Sequence, residues 1–165
     1  MLLLPLDRLV LASDQVLPGP GQIQEWSMSD GDRAALTRWG LPVVDECRMC
    51  GDVQVGTAPA ITAGGRPLYG LGLLAGLEVG AEPATGAVWG VSGMSEVPDS
   101  FVNSSVANFV ESAWRWYWAW QEIKPLRHSI EQYDLLDDFL AFVVRLDVAT
   151  EQAEISFWRE YVESW

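Results

Sequence analysis

Histidine, cysteine and positive charge are all scarce in this chain, and each scarcity removes a class of function. There is one histidine, His128, and two cysteines, Cys47 and Cys50. A closed zinc site takes four ligands, so one chain with these three residues cannot supply a standard set, and no cofactor or metal is expected. The pair Cys47-Arg-Met-Cys50 follows a helical segment and precedes a strand-like one, the reverse of a thioredoxin-type pair that opens a helix after a strand. A zinc deaminase needs an upstream His-x-Glu and a proline before its first cysteine; here Glu46 precedes Cys47 and no histidine lies upstream. Two cysteines also build no disulfide framework, which agrees with a reducing compartment. A lone imidazole without a Gly-x-Ser-x-Gly motif supports no catalytic triad. The chain is expected not to be an enzyme.

Ten basic residues face 23 acidic ones, for a formal net charge of −13. The basic residues are scattered from Arg8 to Arg159, so no basic face is available to a phosphate backbone and nucleic acid is excluded as a partner. A basic protein partner is the natural complement of such a field. The opening Met1 to Arg8 lacks a positive leader and is interrupted by Pro5 and Asp7; no later apolar run is long enough for a bilayer. No membrane partner is expected, and the protein is read as cytoplasmic.

The 165 residues, 49% hydrophobic and 20% charged, suit one globular domain over residues 1–165. Leu9 to Ala12 reads as a short strand. Ser29-Asp-Gly-Asp32 resembles a capping box, and the helix it starts is closed by Gly40. Pro42 then forces an extended exit. Between Asp52 and Val97, short apolar runs separated by glycine and proline (53–55, 59–62, 68–74, 77–79 and 87–91) predict an antiparallel meander, with Thr85-Gly86 at its last turn. Gly70-Leu-Gly72-Leu-Leu-Ala-Gly76 is no dinucleotide loop, because a strand follows where a helix is required. After Phe101 the period becomes helical: one helix opens at Asn103-Ser104-Ser105, another at Ser129-Ile-Glu-Gln132, and a short one carries Phe157 and Trp158. The fold class is α+β, a central antiparallel sheet flanked by an N-terminal helix and C-terminal helices.

Trp114-Arg-Trp116-Tyr-Trp118-Ala-Trp120 is the most unusual run. At about 100° per residue, Trp114 and Trp118 continue the core stripe begun by Val110, while Trp116 and Trp120 form a second stripe. Either the C-terminal helix with Trp158 or a protein partner must cover that second pair. The acids Asp45, Glu46 and Asp52, in a loop that a sheet would hold in place, are further candidates for partner contact. Asp137-Asp138 reads as a solvated face.

Trp39-Gly40-Leu41-Pro42, Thr85-Gly86 leading to Val88-Trp89, Phe101-Val-Asn103-Ser104-Ser105 and a terminal Phe157-Trp158, in that order, resemble the SUKH superfamily, specifically its fourth subgroup. The likeness covers the chain from about Asp30 onward. It implies an immunity protein that binds and neutralises a bacterial toxin domain, a nuclease or nucleic-acid deaminase whose phosphate-holding cleft is basic. The motif residues Gly40, Leu41, Pro42, Gly86, Asn103 and Ser104 have structural reasons to exist as stop, turn and cap, so they are not binding-site candidates. The alternative is a non-catalytic self-associating scaffold or ligand-sensing module of the same fold.

Overall fold

A computed structural model describes residues 4–44, 49–94, 96–126 and 129–165. The chain begins with a single 3-10 turn and a two-residue strand β1 (Gln15–Val16), followed by helix α1 (Asp30–Trp39). Strands β2 (Leu41–Val44), β3 (Met49–Gly51), β4 (Ile61–Ala63), β5 (Arg66–Leu74), β6 (Leu77–Ala81), β7 (Val88–Val91) and β8 (Ser100–Asn103) come next. Helices α2 (Val106–Ile123), α3 (Ile130–Leu146), α4 (Ala149–Gln152) and α5 (Phe157–Glu163) close the chain. The architecture is α+β, with every strand pairing antiparallel.

The strand order is β1-β2-β3-β5-β6-β7-β8, with β4 also paired to β5. The nine-residue β5 serves two neighbours on one flank: its first half pairs with β4 and its second with β3. Although bonded to β5, β4 also comes close to β7. A flat sheet would keep those two apart by the widths of β5 and β6, so the β4–β5 hairpin curls over one face of the sheet. Leu68 and Ala63, both fully buried yet outside the main core, lie in that fold-over. Strand alternation puts Tyr69 and Leu71 on the helix-covered face and Arg66, Leu68 and Gly70 on the other, called the outer face below.

Local chemistry sets the boundaries. The Ser29 hydroxyl accepts from the Asp32 backbone N–H at 3.1 Å and caps α1. Gly40 ends it at φ 54°, where any Cβ would lie 2.2 Å from the Val16 carbonyl oxygen, so no other residue fits. Ser105 and Ser129 cap α2 and α3 in the same way. A bulge between Gly70 and Gly72 re-aims β5, after which Leu73 faces outward opposite Glu78.

Helix α2 is buried around nearly its whole circumference. It is packed against β2, β8, α1 and α3, so it has no wet side to leave polar. Around it runs one continuous hydrophobic core from Ile23 and Trp26 to Trp158 and Val162.

Several expectations are corrected. Leu9 to Ala12 is not a strand: the chain there makes turns, and Leu9 is buried with its carbonyl accepting from the Trp118 indole at 2.7 Å. Residues 53–55 form no strand, although Gln54 N–H still bonds to the Gly70 carbonyl at 3.0 Å. The meander also contains β2, β3 and β8, none of which was predicted; β8 ends on Asn103, and of the three cap candidates Asn103, Ser104 and Ser105 it is Ser105 that caps α2.

Candidate functional site

On the outer face, β4, β5 and β6 and the segment after β3 border a hollow of about 340 Å³ whose walls include Asp52, Gln54, Ile61, Leu73 and Glu78. Its shape is built in. Gln54 is pinned by three bonds: its Oε1 accepts from Gly70 N–H at 2.6 Å, its Nε2 donates to the Ala58 carbonyl at 2.7 Å, and its backbone N–H bonds to Gly70. The Gln22 side chain holds the same segment from the other side, donating to the carbonyls of Val53 at 2.6 Å and Gln54 at 2.7 Å. Trp26, stacked on Tyr69 with centroids 4.4 Å apart, donates its indole N–H to the Gly56 carbonyl at 2.8 Å. Loop 52–58 is therefore tied to the core at several points, and the floor stays low because Gly70 and Gly72 carry no side chains.

Two exposed carboxylates, Asp52 and Glu78, line this hollow beside the half-exposed Leu73. Apolar floor with acidic walls suits the aliphatic stem and charged head of a lysine or arginine. Of the loop acids singled out from the sequence, Asp52 stands here; Asp45 and Glu46, like Cys47 and His128, lie outside the described residues. Glu78 and Leu73 were missed. Their signal was the Leu77-Glu-Val79 alternation, which turns Glu78 outward, but Leu73 is re-aimed by a bulge that periodicity does not show.

Trp116 and Trp120 are corrected as partner contacts. Trp116 is fully buried, its ring centroid 5.0 Å from both Phe139 of α3 and Tyr161 of α5 and 6.4 Å from Trp158. Trp120 is buried against Trp165 at 4.9 Å. The C-terminal helices supply the cover, so neither ring is offered to a partner in this fold. Trp118, assigned to the core stripe, is the least buried of the four and sits at the base of the N-terminal segment through its bond to Leu9.

The motif residues are internal except Ser104, whose side chain is exposed. Leu41 is buried behind Gly40, and Pro42 pairs with Gln15. Gly86 has φ 73°, and a Cβ there would lie 2.6 Å from Asp32 Oδ2. Asn103 is fully buried: its Nδ2 donates to Asp147 Oδ2 at 3.2 Å and its Oδ1 accepts from the Trp158 indole at 3.1 Å. Ser104 N–H donates to the same Asp147 oxygen at 2.6 Å. Among the described residues no helix is long and apolar enough to cross a membrane.

An antiparallel ladder with helices on one face and a preformed, acid-walled hollow on the other defines an α+β protein with an open sheet face. A family model described as SUKH-4 immunity protein matches residues 17–164, and the chain belongs to that family. Comparison with curated proteins gave no match, and comparison with solved structures gave none. Membership connects the chain to toxin immunity.

Proposed function

We propose that this chain, acting as one domain in the cytoplasm, neutralises a cognate bacterial toxin domain by binding it through the outer sheet face, with the Asp52–Glu78 hollow as the contact for a basic side chain. The observation that carries this is the pairing of two exposed carboxylates with exposed Leu73 in a hollow whose backbone is fixed beforehand. Preorganisation of that kind spares a binding surface the ordering cost of a loose loop. A nuclease or nucleic-acid deaminase is the toxin chemistry proposed, because a cleft that holds phosphates is basic and complements a protein of charge −13. Inhibition works by occupation of that cleft, without catalysis and without a cofactor.

Affinity capture from the native lysate followed by mass spectrometry identifies the toxin, and growth of cells expressing that toxin measures neutralisation. Cells that also make the wild-type chain grow; cells that make the Asp52→Lys/Glu78→Lys chain do not. Equal growth with both chains contradicts the assignment of the hollow, and no protection by the wild-type chain contradicts the function itself.

A further inference from the structure

Beyond the β4–β5 hairpin the outer face carries a second depression of different chemistry. A cleft of about 490 Å³ lies between Arg66, Trp89, Asp99 and Phe101 on one side and Gln152 and Glu154 on the other. The Arg66 guanidinium lies over the Trp89 indole, its Cζ 3.8 Å from the ring centroid. Phe101 braces that indole edge-on, with centroids 5.3 Å apart and planes at 79°. Stacking engages only the face of the guanidinium; its five N–H bonds radiate in the plane and stay available. Among the described residues none of them makes an ion pair or a hydrogen bond, although Asp99 lines the same cleft. The Trp89 Nε1–H is likewise buried without an acceptor among the described residues. A held arginine with its in-plane donors unfilled and aromatic walls therefore share one cleft, and their complement is a flat anionic acceptor.

We propose that the Arg66–Trp89 cleft receives a carboxylate side chain of the bound toxin domain, gripped by Arg66 through two parallel N–H to oxygen bonds; this rests on the toxin-binding reading above. A carboxylate fits better than a phosphate for two reasons. Its planar pair of oxygens matches the guanidinium fork and slides between aromatic walls. A dianion would meet stronger repulsion from Asp99 and Glu154 at the rim. Arginine and tryptophan are also the residues on which interface energy concentrates. With the acidic hollow on one side of the hairpin and this cleft on the other, the face asks for a cation and an anion at set positions. That arrangement fixes the orientation of a partner and rejects one with the charges exchanged.

The test uses the isotopically labelled full chain and three probes: acetyl-Ala-Glu-Ala-amide, acetyl-Ala-Lys-Ala-amide and inorganic phosphate. The reporter is the Trp89 indole N–H resonance, assigned with Trp89→Phe. The glutamate peptide is expected to shift it saturably, the lysine peptide to leave it unmoved, and Arg66→Gln to weaken the glutamate response by about tenfold or more while resonances of the core stay in place. No saturable shift, an equal response to the lysine peptide, or tighter binding of phosphate overturns the proposal. Because the probe is a peptide and not the toxin, such a result removes the cleft and leaves toxin binding to its own growth test.

Discussion

The Asp32 carboxylate of α1 accepts a hydrogen bond from the backbone N–H of Ala107, 75 positions further along in the first turn of α2, at 2.8 Å. Its other oxygen accepts from the Ser29 hydroxyl at 2.7 Å, and the bare Cα of Gly86 closes the space beside it. One buried acid thus satisfies an orphan donor of a second helix and places its negative charge at that helix's positive end.

Asp32→Ala removes this carboxylate and is expected to cost about 1.5–3 kcal/mol, the range for a hydrogen bond to a charged group. Gly86→Ala should cost at least as much, since it combines a left-handed backbone with a Cβ pressed onto Asp32. Urea unfolding of both variants checks this; a loss below about 0.5 kcal/mol in either would show that the junction is loose.

The tryptophan helix yields a graded series. Trp116→Ala empties a fully buried site among Phe139, Trp158 and Tyr161 and is expected to cost about 3–5 kcal/mol. Trp118→Ala should cost about half as much or less, through its bond to the Leu9 carbonyl and its partial burial. Thermal melts of the two variants decide the order, and an equal loss at both positions would contradict it.

Helical periodicity put Trp116 and Trp120 on one stripe and offered the C-terminal helix with Trp158 as one of two covers, but it placed Trp118 in the core stripe, where the structure leaves it the least buried of the four. The caps at Ser29, Ser105 and Ser129 and the stop at Gly40 were legible because each is a local event within a few residues. Strands β2, β3 and β8 were not: three or four residues hold too little alternation to show a period. For the site, Asp52 was legible as a loop acid. Glu78, Arg66 and Trp89 gain their meaning only from cross-strand register and from the hairpin that folds over the sheet.

Tyr117 and Asp14 make stability depend on pH at both ends. The Tyr117 hydroxyl donates to Asp14 Oδ2 at 2.5 Å; burial, then this bond and the Asp14 charge, push the phenol from 10.0 up to about 12. The same bond leads the causes that hold Asp14 below its ordinary 3.8. A raised phenol stabilises fully below pH 10.0 and loses that contribution as pH climbs toward about 12. A lowered carboxylate contributes above 3.8 and loses its share as pH falls below it. The stability gap between wild type and Tyr117→Phe should therefore be about 1–2 kcal/mol near neutrality and shrink toward both extremes. Denaturant titrations of the pair across pH measure it, and a gap constant from acid to alkali would refute the coupling.

The outer face is tested most directly by the salt dependence of association between the captured toxin domain and three chains: wild type, Asp52→Lys/Glu78→Lys, and Asp137→Lys/Asp138→Lys, whose charges lie on the exposed side of α3. The predicted result is a rate that falls as salt rises for the wild type and for the α3 variant, with the hollow variant binding at least about tenfold more weakly because its local field now opposes the partner. Full affinity in the hollow variant together with lost binding in the α3 variant would contradict the account and move the interface to the helical side of the protein.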